Sequence, residues 1–177
     1  DAVDGGRFDG EQWSLTLRGG GSSTARWLID ASGRSGALAR ALEPTAPREQ
    51  VFDRLIGIVG FSELEQATSL DDTEPGASLL VEPVEDGWWY SAVLGRQRLV
   101  TALFTDADLL DSDPQSTWAR GLENAPFTRE RHRSTSAPTR LHTRSASSRL
   151  NLDPVAPGYV AIGDAAASWD PLSSMGV

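Results

Sequence analysis

Residues 158–177 are the most informative part of the sequence, and they read Gly158-Tyr-Val-Ala-Ile-Gly163-Asp164-Ala-Ala-Ala-Ser-Trp-Asp170-Pro171-Leu-Ser-Ser174-Met175-Gly176-Val177. A short apolar strand leads into Gly163-Asp164, and small residues typical of a helix start follow the loop at Pro171. A carboxylate at a strand end can bind sugar hydroxyls, and the free N–H groups of a helix start can face an electron-rich ring. The layout therefore suits the polar middle of a dinucleotide.

The composition is that of an ordinary globular domain. The chain has 177 residues and a net charge of -9, its 16 basic residues are all Arg, and it has no Cys. The acidic balance argues against nucleic-acid and membrane-surface partners, and the lack of Cys excludes disulfides, thiolate zinc sites and Cys nucleophiles. No apolar run approaches the ~20 residues of a membrane span. We expect a cytoplasmic protein without a metal site.

Both ends indicate a piece of a longer protein. Asp1 is not an initiator Met, and the helix start at Gly176 is not followed by a helix. We therefore expect further chain on both sides.

The first fifty residues predict a hairpin and a strand-to-helix junction. Gln12–Arg18 alternates apolar and polar residues, and a Gly-rich turn separates it from a second predicted strand at Ala25–Asp30. Residues 30–36 then lead into a predicted helix at Ala37–Leu42. This region is therefore a β-hairpin followed by a strand, turn and helix.

The middle of the chain predicts an antiparallel meander. Strands are expected at Arg54–Phe61, Ser78–Val84, Trp88–Leu94 and Arg98–Thr105, and the last three are joined by very short links. Parallel strands would need crossovers of about a dozen residues, so the links favour antiparallel pairing. Asp113-Pro114 predicts the start of a helix that runs to about Asn124. An extended segment is expected near Ala137–Thr143, and a strand at Tyr159–Ile162.

The 158–177 stretch resembles the second FAD-binding motif of flavin-dependent monooxygenases and halogenases, which has Gly-Asp-Ala-Ala, then Asp-Pro and a Gly-rich helix start. The resemblance implies that Asp164, preceded by Gly163, hydrogen-bonds the ribityl chain of FAD. It places Pro171 beside the isoalloxazine ring. Residues at the helix start, Ser174, Met175 and Gly176, would present backbone N–H groups to the edge of that ring, where they stabilise negative charge on reduced flavin.

A second motif, Asp30-Ala-Ser-Gly33-Arg34-Ser35, resembles the middle motif of the same flavoproteins, which lies near the FAD pyrophosphate. The resemblance makes Asp30, Gly33 and Arg34 candidate cofactor-binding residues. Ser32 occupies the usual Asp position and Asp30 comes two residues earlier, which is a departure from the common pattern. The alternative is a plain strand–turn–helix junction.

These motifs set the expected domains. Residues 1–50 are expected to be part of an FAD-binding domain, residues 51–150 a β-sheet domain that binds substrate, and residues 151–177 the return to the FAD-binding domain. The Gly-x-Gly-x-x-Gly fingerprint of the family occurs nowhere in the chain. The expected fold class is mixed α and β, a fragment of a Rossmann-like FAD/NAD(P)-binding domain with an antiparallel substrate sheet.

Trp88 and Tyr90 are the candidate substrate-binding residues. Alternation along a strand sends both to one face and Trp89 to the other. Flavin-dependent halogenases carry Trp-x-Trp-x-Ile-Pro on the corresponding strand. Here Trp88 is kept, but Tyr90, Ala92 and Val93 replace the later residues. This departure counts against halogenation.

The resemblance implies an FAD-dependent monooxygenase that hydroxylates an organic or peptidyl substrate through a flavin hydroperoxide. NAD(P)H or a separate reductase would supply the electrons, and no side chain is assigned as a catalytic acid or base, because the cofactor carries the chemistry. Two alternatives stay open: a flavin-dependent halogenase, and a non-catalytic fragment or β-rich binding domain that does not hold FAD.

Overall fold

The computed structural model describes residues 2–43, 48–65, 79–95, 97–138 and 140–173. Their strands are β1 (Val3–Phe8), β2 (Trp13–Leu17), β3 (Ser22–Ala25), β4 (Leu28–Asp30), β5 (Leu42–Glu43), β6 (Glu49–Val51), β7 (Leu55–Glu63), β8 (Leu80–Val84), β9 (Gly87–Leu94), β10 (Arg98–Asp106), β11 (Leu141–Ser145), β12 (Arg149–Asn151), β13 (Val155–Ala156), β14 (Tyr159–Ala161) and β15 (Ala167–Ser168). The α-helices are α1 (Ala37–Ala41), α2 (Pro114–Glu123) and α3 (Pro126–Arg131).

The chain divides into two compact units. Unit 1 consists of Asp1–Asp53 and Ser147–Val177, and unit 2 consists of Arg54–Ala146. The chain thus leaves unit 1 once and returns to it, and each unit has its own buried core.

Unit 1 contains three small sheets. Their strand orders are β3-β2-β1-β5, β15-β12-β6 and β13-β14-β4. The apolar core of this unit is formed by Trp13, Leu15, Leu28, Ala39, Leu42, Tyr159 and Ala161. The Trp13 indole N–H donates to the Gly158 carbonyl over 2.8 Å inside this core, so the start of the 158–177 stretch is fixed to β2.

The predicted hairpin forms with a different second strand. β2 pairs with β3, and Thr16 faces Ser22 across the ladder. Gly19, Gly20 and Gly21 have φ values of +92°, +95° and +109°, so the turn is tight and pairing resumes at Ser22. The prediction of one strand at Ala25–Asp30 was wrong, because Leu28–Asp30 belongs to another sheet, where it pairs in parallel with β14.

Unit 2 contains a five-stranded sheet with the order β11-β7-β10-β9-β8. The antiparallel meander of β8, β9 and β10 forms as predicted, although Ser78 at its predicted start lies outside the described residues. β7 pairs antiparallel with β10, and β11 adds to the other side of β7. The sheet therefore combines the local meander with two strands that arrive from distant parts of the chain.

One face of this sheet is covered by helices. Trp89 and Ile58 are fully buried there, and the Trp89 ring meets the Trp118 ring of α2 edge-on at 4.8 Å. Asp113 caps α2 as predicted, since its carboxylate accepts from the Gln115 N–H over 3.1 Å. We call the opposite face, which carries Trp88, Tyr90, Ala102, Phe104, Val59 and His142, the open face.

Helix α3 was not predicted, because its cap is distant in sequence. No side chain at its N-terminal residue, Ala125, caps it. Instead the buried Glu82 carboxylate of β8 accepts from the backbone N–H groups of Phe127 and Thr128 over 3.1 and 2.6 Å. The extended segment expected near Ala137–Thr143 is β11, which begins later, at Leu141. The predicted class, mixed α and β with an antiparallel sheet, is confirmed.

Candidate functional site

The two motifs singled out in the sequence lie side by side in unit 1. β4 and β14 are parallel neighbours, and Asp30 pairs with Ala161. Parallel strands end at the same edge of a sheet, where open α/β sheets bind their ligands. The turns at residues 33–35 and 163–165 therefore follow neighbouring strand ends.

An ion pair joins the two motifs. The Nε of Arg34 lies 3.3 Å from the Oδ2 of Asp164. The side chains of Arg34 and Asp164 are 27% and 33% exposed, so the pair is partly shielded from water but open to a ligand. A carboxylate held at one oxygen by a fixed guanidinium keeps its other lone pairs available as hydrogen-bond acceptors.

Arg34 also fixes the chain that surrounds the pair. Its Nη1 donates to the Ser147 carbonyl over 2.8 Å, and its Nη2 donates to the Trp169 carbonyl over 2.6 Å. The Arg34 carbonyl accepts from the Nη2 of Arg149. One guanidinium thus connects the middle motif, the first residue after unit 2 and the loop that follows Asp164.

Asp30 is buried, with only 1% of its surface exposed, and its carboxylate faces the interior of unit 1. It accepts from the Ser32 N–H at 2.9 Å, the Tyr159 hydroxyl at 3.0 Å and the Ala39 N–H at 3.1 Å. Burial by itself raises the pKa of Asp30, but the hydrogen bonds from Ser32, Tyr159 and Ala39 outweigh it and hold the pKa below the ordinary 3.8. In this geometry Asp30 fixes the junction between β4 and α1.

Tyr159 is the partner of Asp30 that the sequence analysis missed. Burial and the neighbouring Asp30 carboxylate raise the pKa of Tyr159 well above its ordinary range. Its hydroxyl is therefore a lasting donor that ties β14 to the end of β4. No sequence signal could pair these residues, which are separated by 129 positions.

Gly33 and Gly163 leave the backbone beside the ion pair uncovered. Their φ values are +68° and +56°, and a Cβ atom built on either would meet no atom of the described residues within 4 Å. Both positions need a left-handed backbone, which glycine adopts without steric cost. The open space beside each is the arrangement expected where a ligand approaches the main chain closely.

The remaining predicted cofactor residues lie at the end of the chain. Pro171 is exposed and begins a single turn at Pro171–Ser173 that Asp170 caps, with its carboxylate accepting from the Leu172 N–H over 2.8 Å. Ser174, Met175 and Gly176 lie outside the described residues. The predicted helix start is therefore described only as far as its first turn.

The two predicted substrate residues share the open face of unit 2. Trp88 stacks on Phe104, with ring centroids 4.0 Å apart and an angle of 15° between the planes. Tyr90 lies two residues along on the same face, while Trp89 is buried on the helix-covered face. His142 of β11 is also on the open face, opposite Val59, and the sequence analysis did not single it out.

Metal sites and membrane-spanning helices are both absent from the described ranges. No group of three or more His, Cys, Asp or Glu side chains is placed to hold a metal ion there. Across the same ranges no helix has the length and apolar character needed to cross a membrane.

Sequence comparison finds two informative relatives, whereas no family model matches the chain. The chain is 31% identical over 157 residues to the FAD-dependent oxidoreductase LodB of Marinomonas mediterranea, which covers 85% of this chain and 40% of LodB. It is 24% identical over 182 residues to the tryptophan 2-halogenase of Chondromyces crocatus, covering 96% of this chain and 34% of that protein. The chain thus spans well under half the length of either relative.

Solved structures share the fold. The flavin-dependent halogenase CmlS superposes with a TM-score of 0.80 at 21% identity, over 98% of this chain and 32% of its own. The peptidyl tryptophan dihydroxylase QhpG superposes with a TM-score of 0.71 at 22% identity, over 99% of this chain and 38% of its own. These structures support the fold assignment, and the relatives confirm the superfamily and the cofactor class predicted from the sequence. Over most of its own length the chain is similar to a part of FAD-dependent oxidoreductases and flavin-dependent halogenases, which supports the superfamily predicted from the sequence.

Proposed function

We propose that this chain is part of an FAD-dependent monooxygenase that hydroxylates an organic or peptidyl substrate. The observation that carries the proposal is the Arg34–Asp164 ion pair, which joins the two motifs that resemble FAD-binding sequences. Separated by 130 positions in the chain, these motifs meet at neighbouring strand ends. An Asp164 that served only as a turn residue would not be expected to pair with the second motif.

The residues at this edge fit the polar part of FAD. Asp164 is one-third exposed and is the acceptor for ribityl hydroxyls in the proposal. Gly33 and Gly163 leave room for the cofactor to approach the backbone. Arg34 uses all three of its guanidinium nitrogens on Asp164, Ser147 and Trp169, so we assign it a positioning role. Asp30 is assigned the same role, because its carboxylate already accepts three internal hydrogen bonds.

Pro171, Ser174, Met175 and Gly176 complete the proposed cofactor site. They follow Asp164 in the chain and are assigned to the flavin ring by the resemblance of the 158–177 stretch. When bound, FAD supplies the redox chemistry with oxygen, and NAD(P)H or a reductase partner supplies its electrons.

Unit 2 supplies the substrate surface in this proposal. Trp88 and Tyr90 lie on the open face, and the flat stack of Trp88 on Phe104 gives that face an aromatic patch. Such rings favour planar, electron-rich substrates through offset stacking. In this proposal unit 1 binds the cofactor and unit 2 binds the substrate.

Halogenation is the second candidate function. One relative is named a tryptophan 2-halogenase, and several of the similar structures are halogenases. Tyr90, Ala92 and Val93 stand where the halogenase motif has Trp, Ile and Pro, and for this reason we prefer hydroxylation. The relative LodB, at 31% identity, is named an oxidoreductase and is consistent with this preference.

The proposal is tested on the full-length gene product that contains this chain. FAD affinity is measured by flavin fluorescence for wild type, Asp164→Ala and the control Asp153→Ala, whose carboxylate pairs with Arg48 on the surface. A hydrogen bond to a charged group contributes about 1.5–3 kcal/mol, so D164A is expected to weaken FAD binding about tenfold to a hundredfold. D153A is expected to leave it unchanged. Equal affinities of D164A and wild type would refute the assignment.

The reaction is identified with phenol as a probe substrate. The reduced holoenzyme is incubated with phenol, isotopically labelled oxygen and bromide, and the products are separated by mass. Incorporation of labelled oxygen into the ring supports hydroxylation, and a bromophenol supports halogenation. A gene product that binds no FAD and gives neither product would instead support a binding domain.

A further inference from the structure

A partly buried ion pair joins β6 and β12, two neighbouring strands of unit 1. β6 is the last strand before the chain leaves unit 1, and β12 is the first strand after the chain returns. The Nη1 of Arg149 lies 3.3 Å from the Oε2 of Glu49, and the two side chains are 18% and 29% exposed. Among the ion pairs of the described residues this one is the least exposed, so water and salt screen it least.

The same guanidinium also holds the middle motif. The Nη2 of Arg149 donates a hydrogen bond to the carbonyl of Arg34. The side chain of Arg34 in turn forms the ion pair with Asp164. The contacts therefore follow one line, from Glu49 through Arg149 and Arg34 to Asp164, and Arg149 fixes the backbone of the residue whose side chain fixes Asp164.

Stability alone does not account for Arg149. Its Nε is buried and has no hydrogen-bond partner within the described residues. A buried donor without a partner costs free energy, and such a group in a native structure calls for an explanation. The explanation lies in the two contacts that the guanidinium does make, to Glu49 and to the Arg34 carbonyl.

A second ion pair beside the same two strands provides a comparison. Arg48 precedes Glu49 in the chain, and its Nε and Nη2 donate to the Asp153 carboxylate over 2.6 and 2.9 Å. These side chains are 73% and 50% exposed. Within the described residues no hydrogen bond or ion pair joins them to Arg34 or Asp164. The two ion pairs thus lie beside the same strands, but only the Glu49–Arg149 pair reaches the cofactor edge.

We propose that Arg149 is a positioning residue for the cofactor site, which fixes the Arg34 carbonyl and so keeps the Arg34 guanidinium on Asp164. This inference rests on the proposed function, since it concerns the same FAD site. A guanidinium suits the role, because its planar fork presents separate nitrogens to Glu49 and to the Arg34 carbonyl. A carboxylate held in place by these contacts loses little freedom when FAD binds, which favours binding.

The test compares FAD affinity, measured by flavin fluorescence on the full-length gene product, for wild type, Arg149→Met and the matched control Arg48→Met. Methionine retains the apolar part of the arginine side chain and has no donor. R149M is expected to weaken FAD binding about tenfold, because a hydrogen bond from a charged group has about that effect. R48M is expected to leave FAD affinity unchanged. Circular dichroism checks that each variant is folded at the temperature of the measurement.

A double-mutant cycle with D164A distinguishes positioning from general stability. If Arg149 acts through Arg34 on Asp164, R149M should change FAD affinity less than about twofold once Asp164 is absent. Arg149→Lys provides the same test should R149M fail to fold. Its compact ammonium cannot hold Glu49 and the Arg34 carbonyl together, so it is expected to weaken FAD binding in the wild-type background and not in D164A.

The inference on Arg149 and the proposed function fail in different ways. A wild-type protein that binds FAD, with R149M and R149K of equal affinity, would overturn the inference and leave the proposed FAD site intact. Equal weakening by R149M or R149K in the wild-type and D164A backgrounds would also overturn it, since Arg149 would then act independently of Asp164. A wild-type protein that binds no FAD would contradict the proposed function, and the inference with it.

Discussion

Arg34 and Asp164 are 130 positions apart in sequence, and the Nε of one lies 3.3 Å from the Oδ2 of the other. This ion pair exists because β4 and β14 are parallel neighbours that end at the same edge. A Cβ built on Gly33 or Gly163, beside the pair, would meet no atom of the described residues within 4 Å. This edge of unit 1 is thus built from the two motifs that resemble FAD-binding sequences.

The first prediction concerns the coupling of this pair. In a double-mutant cycle for FAD binding, R34A and D164A are expected to be non-additive by about 0.5–3 kcal/mol, as found for residues in direct contact. Arg34→Lys is expected to resemble R34A, because a single ammonium cannot serve three acceptors as a guanidinium does. Strictly additive effects on the FAD dissociation constant would contradict the positioning role of Arg34.

The second prediction concerns acid stability. The pKa of Asp30 is below 3.8 in the folded protein, so the carboxylate contributes stability above the unfolded pKa, and this contribution is lost as the pH falls through the folded pKa. The free energy of unfolding of wild type should exceed that of Asp30→Asn most near neutral pH. The difference should narrow below about pH 4. Denaturant titrations at several pH values measure it, and a constant difference would be inconsistent with the shifted pKa.

The third prediction concerns the hydroxyl that holds Asp30. Tyr159→Phe removes the donor at 3.0 Å from the buried Oδ2 and is expected to cost about 1–3 kcal/mol in the free energy of unfolding. Tyr90→Phe is the matched control, since no hydrogen bond of the Tyr90 hydroxyl is found in the described part of the chain, and it is expected to cost less than about 0.5 kcal/mol. Similar losses in the free energy of unfolding for both variants would show that the hydrogen bond from Tyr159 to Asp30 does not stabilise the fold.

The fourth prediction concerns the turn between β8 and β9. Gly87 has a φ of +146°, and a Cβ there would lie 1.9 Å from the Phe104 carbonyl oxygen. Gly87→Ala is expected to destabilise the protein by more than about 3 kcal/mol, because strain and a backbone clash add. At Gly95 the φ is +62° and a Cβ would meet no atom of the described residues within 4 Å, so Gly95→Ala should cost about 1 kcal/mol through backbone strain alone. Thermal unfolding measures the loss of stability in each variant. An equal loss in Gly87→Ala and Gly95→Ala would disprove the clash at Gly87.

Local patterns predicted the local parts of the fold. The short links before Trp88 and Arg98 predicted the meander, and Asp113-Pro114 predicted the start of α2. These elements are determined by residues within a few positions of one another, so the sequence carries the signal directly.

Long-range pairings could not be predicted in the same way. The parallel contact of β4 with β14, the addition of β11 to β7 and the Glu82 cap of α3 each join residues far apart in the chain. Asp30 accepts internal hydrogen bonds only because Tyr159 lies next to it in the fold. His142 lies on the open face only because β11 joins the sheet. Neither arrangement could be predicted from the sequence alone. The motif residues were predicted, whereas their mutual geometry required the structure.

FAD binding is measured most directly by the visible absorption spectrum of the purified full-length gene product, taken before and after denaturation. We expect a flavin spectrum and the release of FAD on denaturation. The same preparation of D164A is predicted to carry much less FAD. A colourless protein that stays colourless when FAD is added would contradict the proposed FAD site.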